Sequence, residues 1–151
     1  MEYGFQLFRS DKALKIWMTF KVLGSDRLRK AIALDLEKAT YLAQKIKQSS
    51  LFEVMSVGPL SIACYRLNPT ELDLSGDQLE TLNKRLLALI EQEGHVFITG
   101  TKLKGQVALR SCFVNHRAQQ RHLDYTFDVL SSSAERILKQ SVDLLSGKYR
   151  R

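Results

Sequence analysis

The strand-like run from Gln106 to Val114 sets the strongest limit on how this chain folds. Side chains alternate along a strand, so Val107, Leu109, Ser111 and Phe113 point to one face and Ala108, Arg110, Cys112 and Val114 to the other. Helices from the same chain can cover one of these faces. The second face is apolar as well, yet it carries one arginine. Such a face is expected to be covered by another domain or subunit, with the guanidinium of Arg110 reaching an anion at the junction.

The rest of the chain supplies the partners for that strand. A first helix is predicted from Asp11 to Leu23, with Ser10 as its N-cap and Gly24 as its stop. Its apolar residues Ala13, Leu14, Ile16, Trp17, Met18, Phe20, Val22 and Leu23 run nearly all round the helix, which calls for cover from outside so small a chain. Ser25 is expected to cap a second, amphipathic helix with Leu28, Ile32, Ala39, Leu42 and Ile46 on its apolar stripe. The period changes at Leu51. Phe52 to Met55 reads as a short strand, Val57-Gly58-Pro59 as a turn and Leu60 to Leu67 as a second strand. Ser75 and Gln78 form a capping box ahead of a third helix whose stripe is Leu79, Leu82, Leu86, Leu89 and Ile90, ended by Gly94. Strands His95 to Leu103 and Gln106 to Val114 are joined at Lys104-Gly105. The last helix spans Gln119 to Leu145, with Leu123, Phe127, Leu130, Ala134 and Ile137 inward and Ser131-Ser132-Ser133 expected to weaken its middle. The fold class is therefore α+β in the order ααββαββα. It is a small, mostly antiparallel sheet of about four strands with helices on one face.

At 151 residues the chain has the length of one domain, enough to bury roughly 70% of its unfolded surface. No run approaches the ~18 apolar residues that would span a bilayer. Met1-Glu2-Tyr3-Gly4 lacks the features of a signal peptide, so no membrane partner and a cytoplasmic location are expected. Cys64 and Cys112 have no metal-ligand spacing and are expected as buried, reduced thiols; no metal site is predicted. The formal net charge of +7 invites a nucleic-acid reading. However, Lys and Arg are scattered along helix faces, and the one dense basic cluster is Lys148-Tyr149-Arg150-Arg151. No strand interleaves aromatic and basic residues as an RNA-binding sheet does.

Leu7-Phe8-Arg9-Ser10-Asp11-Lys12-Ala13-Leu14-Lys15-Ile16-Trp17-Met18-Thr19-Phe20-Lys21-Val22-Leu23-Gly24 resembles a signature of the group II pyridoxal-phosphate-dependent amino-acid decarboxylases, which include the aromatic-amino-acid, tyrosine, histidine and glutamate decarboxylases. Leu51-Phe52-Glu53-Val54, the strand Ile62-Ala63-Cys64-Tyr65-Arg66-Leu67, Leu82-Asn83, and Val107-Ala108-Leu109-Arg110-Ser111-Cys112-Phe113-Val114-Asn115 extend the resemblance over about residues 3 to 130. The first block looks closer to the aromatic-amino-acid and tyrosine branch. After Asn115 the family often has Pro and a capping Ser or Thr. Here His116-Arg117-Ala118 follows, which puts the start of the last helix in doubt.

The resemblance implies the C-terminal small domain of the aspartate-aminotransferase-like fold. Residues 1–24 would be a linking helix from a missing large domain, and 25–151 the small domain. It also implies a homodimer, and an amino-acid substrate in the parent enzyme. The cofactor, pyridoxal phosphate, serves there as the electron sink for the carbanion left when carbon dioxide departs. In the family the large domain supplies the cofactor lysine, an aspartate at the pyridine nitrogen and a histidine stacked on the ring. No His-Lys pair and no glycine-rich phosphate turn occur here, so no cofactor is expected on this chain alone, no catalytic residue is assigned, and the chain is expected to be inactive by itself.

Two candidate substrate-binding residues follow from the resemblance. Arg110 matches an arginine that in the glutamate decarboxylases helps to hold a substrate carboxylate; the other reading is an arginine bonded to acidic groups or carbonyls at a domain interface. Arg9 matches a basic position by the approach to the active site and has an equally simple structural reading. Trp17 is expected to be a packing residue, and His95, His116 and His122 surface or strand-end residues. The alternative functions are a free-standing small-molecule-binding or dimerisation module and, with less support, a nucleic-acid-binding module.

Overall fold

The computed structural model describes residues 12–148, with side chains described from 13 to 141. The elements are α1 (Lys12–Leu23), α2 (Ser25–Gln48), β1 (Phe52–Val57), β2 (Ile62–Leu67), α3 (Gly76–Glu93), β3 (Thr99–Leu103), β4 (Gln106–Cys112) and α4 (Gln120–Lys148). This is the predicted order, and it forms one four-stranded sheet in the spatial order β1-β2-β4-β3 with every pairing antiparallel. By compactness the chain divides into two units, Met1–Ala33 and Leu34–Arg151.

In the first unit, α1 ends at Gly24, whose N–H donates to the carbonyl of Phe20 at 2.9 Å and whose φ of 75° turns the chain off the helix axis. Glycine is suited to this left-handed step because it has no Cβ to clash. The helix begins again directly afterwards, so Ser25 is the first helical residue of α2 and not a cap ahead of it. The apolar side chains of α1 are exposed, from 37% at Leu23 to 77% at Val22. Trp17, expected as a packing residue, is exposed too, with the Lys21 ammonium 5.6 Å from its ring centroid.

In the second unit, three helices pack on one face of the sheet. Leu42, Ala43 and Ile46 of α2, Leu82, Leu86 and Ile90 of α3, and Leu130, Ala134 and Ile137 of α4 meet Phe52, Ala63, Tyr65, Leu67 and Leu109 from the strands. Their helical spacing of three and four residues makes each stripe a continuous apolar face. Polar contacts fix the helices laterally. Asp124 of α4 accepts from the Tyr41 hydroxyl at 2.7 Å and the Lys45 ammonium at 2.5 Å, and the Lys45 ammonium also lies over the Phe127 ring.

One side chain joins α3 to the sheet. The buried carboxamide of Asn83 accepts from Leu67 N–H at 2.7 Å and donates to Leu67 C=O at 2.9 Å and Leu79 C=O at 2.8 Å. An amide is the one side chain with both the donors and the acceptor this task needs.

Several boundaries differ from the sequence reading. Val57 belongs to β1, because a bulge between Val54 and Ser56 absorbs one residue and lets the strand run on. β2 starts at Ile62, two residues later than expected. His95 to Ile98 precede β3 as irregular backbone, with Phe97 90% exposed. β4 ends at Cys112. α4 runs unbroken through Ser131-Ser132-Ser133: Ser132 donates to Val129 C=O at 3.1 Å, Ser133 is buried and faces Glu93 at 3.4 Å, and the buried Ser131 hydroxyl has no partner among the described residues. The β3–β4 turn places both Lys104 (φ 49°) and Gly105 (φ 79°) in the left-handed region, as a two-residue turn between twisted strands requires.

Two outcomes are expected. Asn83→Leu leaves both polar groups of Leu67 without partners inside the fold, and chemical denaturation should show a loss of about 2–4 kcal/mol. Lys104→Asn relieves the left-handed lysine and should stabilise the protein by about 0.5 kcal/mol, seen as a higher thermal midpoint.

Candidate functional site

The strand pattern places Val107, Leu109 and Ser111 toward the helices, where Leu109 is buried in the core and Ser111 shares a hydrogen bond of 2.8 Å with the Tyr65 hydroxyl. Burial pushes the Tyr65 phenol far above its ordinary range, so this hydroxyl stays neutral. The other face of the sheet contains Arg110, and the register shows what surrounds it. Cys64 of β2 and Thr99 of β3 are its direct cross-strand neighbours, while Cys112 stands opposite Ile62 on the same face. Within the second unit, no helix contributes core residues to that side.

Arg110 is half-buried. Its Nε–H donates to Thr99 Oγ1 at 3.1 Å, and the Thr99 hydroxyl in turn lies 3.3 Å from the Arg110 carbonyl. Among the described residues, neither terminal guanidinium nitrogen makes a hydrogen bond or ion pair. The carboxylate on the same face, Glu53, is engaged elsewhere. It binds Arg66 through Nε and Nη2, both at 2.7 Å, and Asn68 Nδ2 at 2.9 Å. Burial raises the Glu53 carboxyl, but these partners outweigh it and hold the group below the usual range.

Both cysteines are free. Cys64 is buried at 7% exposure, and burial pushes its thiol up against the opposing pull of the Arg110 guanidinium. Cys112 is exposed, which corrects the expectation of two buried thiols: it is the last residue of β4, with its side chain on the face that the second unit's helices do not cover.

The remaining candidates are scattered. Arg9 lies outside the described residues. His95 and His116 are exposed. His122 has a structural role that sequence reasoning missed: its Nδ1 accepts from Gln119 N–H at 2.9 Å at the start of α4. Together with Asn115 Oδ1, which accepts from Arg117 N–H at 2.9 Å, it replaces the capping residue that His116-Arg117-Ala118 does not supply. The signal was a hydrogen-bonding side chain three residues after a helix start, the capping-box spacing with histidine in place of Glu or Gln.

A phosphate-bearing aldehyde cofactor sets two requirements. Such a group needs a neutral lysine amine and an anion cradle of open backbone N–H groups. Two lysines that line cavities are paired: Lys38 donates to Asp35 at 2.8 Å and to the Asn115 carbonyl at 3.1 Å, and the Asp124 carboxylate raises Lys45. The start of α3 is closed by its own Ser75–Gln78 capping box and carries Asp77 in its first turn. Among the described residues, no group of three or more His, Cys, Asp or Glu is placed to hold a metal ion. No described helix is long and apolar enough to cross a membrane.

No family model matches the chain. Individual proteins do. Tyrosine decarboxylase 2 of Arabidopsis thaliana is 28% identical over 138 residues, which is 91% of this chain and 25% of that protein. The aromatic-L-amino-acid decarboxylase of Bacillus atrophaeus is 30% identical over 136 residues, 90% of this chain and 28% of its relative. Among solved structures, Catharanthus roseus tryptophan decarboxylase in complex with L-tryptophan superposes with a TM-score of 0.75 at 26% identity, over 85% of this chain and 27% of that one. Oryza sativa TDC with PLP and tryptamine gives 0.76 at 17% identity, which speaks for the fold alone. The resemblance to group II pyridoxal-phosphate-dependent decarboxylases therefore holds across nine tenths of the chain. The chain spans about a quarter of the length of the curated relatives it matches.

The site makes its own prediction about thiol chemistry. The thiolate is the reactive form, so an aromatic disulfide reagent should label Cys112 in a fast phase and Cys64 in a slow one. Cys112→Ser should remove the fast phase alone, as followed by absorbance and confirmed by peptide mass.

Proposed function

We propose that this chain is the C-terminal small domain of a group II pyridoxal-phosphate-dependent L-amino-acid decarboxylase. Residues 1–24 serve as the link from the cofactor-binding large domain, and residues 25–151 as the small domain proper. The observation that carries this reading is the alignment of the chain with about a quarter of each relative, over nine tenths of it in sequence and 85% of it in fold. The exposed apolar side chains of α1 and the sheet face around Arg110, which no helix of the second unit covers, support it, since both are surfaces that a covering domain would bury.

In this role the chain binds and orients; it does not supply the chemistry of carbon dioxide loss. Arg110 offers a planar cation to a substrate carboxylate at the domain junction, and the family resemblance makes Arg9 a second candidate for substrate binding. The assembled enzyme is a cytoplasmic homodimer. These 151 residues are inactive alone, because they hold neither the lysine nor the phosphate cradle that the cofactor needs. A free-standing binding module has less support. The cavity of about 440 Å³ between α2 and the start of α4 is lined by groups already engaged with protein partners, such as Lys38 and Tyr41.

The test is to mix the purified chain with pyridoxal phosphate, reduce with borohydride and read the adducts by peptide mass. Substoichiometric labelling spread over surface lysines is expected. One stoichiometric adduct at a single lysine, such as Lys102 or Lys104, would overturn the assignment.

A further inference from the structure

We propose that Thr99 is a positioning residue that commits Arg110 to end-on recognition of a carboxylate, through its two terminal nitrogens. The inference rests on the reading of Arg110 as a carboxylate contact and adds the geometry of that contact and the residue that sets it.

A guanidinium has five N–H donors and two ways to grip a planar carboxylate with two parallel bonds: side-on, through Nε and one terminal nitrogen, or end-on, through both terminal nitrogens. Here the choice is made before any ligand arrives. Thr99 stands directly across the strand pair from Arg110. Its hydroxyl lies 3.3 Å from the Arg110 carbonyl and 3.1 Å from Arg110 Nε. A hydroxyl has one proton. Given to the carbonyl, that proton leaves only lone pairs facing Nε, so the oxygen accepts there and cannot donate. The Nε–H is thereby occupied and the side-on edge is closed. The terminal nitrogens retain all their protons, with no hydrogen-bonding or ion-pairing partner among the described residues.

The surroundings preserve the charge for an incoming anion. Glu53, on the same sheet face, is held by Arg66 and Asn68. Cys64, directly opposite Arg110 on the other side, is kept as a neutral thiol by burial. Neither neutralises the guanidinium. Thr99 is also β-branched and suits its strand without Arg110, so a threonine-to-valine change removes the hydroxyl while keeping the shape.

The experiment is NMR of the arginine side chains in the full 151-residue chain, with acetate as the probe carboxylate. In the wild type, Arg110 Nε–H should exchange slowly, and acetate should shift the terminal N–H signals while leaving Nε nearly still. In Thr99→Val, Nε–H exchange should speed up roughly tenfold, the worth of one charge-assisted hydrogen bond. Acetate should then shift Nε as well. Thr99→Ser should restore both behaviours, and an unchanged backbone amide spectrum in each variant shows that the fold is intact. Acetate that moves Nε as much as the terminal nitrogens in the wild type, or Nε exchange indifferent to Thr99→Val, overturns the positioning role while leaving Arg110 as a carboxylate contact. Acetate that leaves every Arg110 signal unmoved overturns the carboxylate reading itself, and the end-on inference with it.

Discussion

The carboxamide of Asn83 does for β2 what another turn of structure would otherwise have to do. Leu67 closes β2, and both of its backbone polar groups are bound by one side chain from α3. Backbone groups buried without partners are strongly penalised, so this clamp lets an apolar strand end beneath a helix without an orphaned amide. It also sets the height of α3 over the sheet, because Asn83 shares its second amide proton with the Leu79 carbonyl within the helix. From that fixed point the stripe Leu82, Leu86 and Ile90 meets Tyr65, Leu67 and Leu109. β3 passes so close beneath α3 that a Cβ on Gly100 would lie 2.7 Å from Leu87 Cδ2.

The two faces of the sheet then diverge. One is a packed interior in which the polar groups, Tyr65 and Ser111, satisfy each other. The other keeps its arginines oriented by neighbours on adjacent strands: Arg66 by Glu53, and Arg110 by Thr99. The difference matters chemically. Arg66 is neutralised and structural, whereas Arg110 is held by a neutral hydroxyl and retains its full charge.

Much of this was legible in the sequence because it depends on short-range periodicity. The alternation in Gln106–Cys112, the stripes of α3 and α4 and the Ser75–Gln78 box follow from local rules and appear as expected, whereas the α2 stripe holds only from Ala39 on, with Ile32 exposed. The misses share a physical cause: they depend on contacts distant in sequence or on backbone irregularity. The bulge at Val54/Ser56 has no residue signature, so the end of β1 was placed too early. His95–Ile98 is apolar enough to look like a strand but does not pair with β4. Cys112 lies at the end of its strand, where alternation ceases to predict burial. For the site, Arg110 was visible as a lone cation in an apolar strand. Thr99 was not, because its importance comes from the β3–β4 register alone.

The strand order also dictates how the chain must assemble. β1–β2 and β3–β4 are local hairpins, but the sheet becomes one sheet only where β2 meets β4, pairing Tyr65 with Leu109 and Ile62 with Cys112 across the whole length of α3. Pairings of such sequence separation are slow to form. During synthesis β2, an apolar strand, emerges with one edge unsatisfied and stays so until α3 and the second hairpin have followed it. An exposed edge of that composition invites pairing with other chains. The unpaired β2 is therefore the most aggregation-prone stage of the growing chain, and the time from Leu67 to Cys112 sets the length of that window.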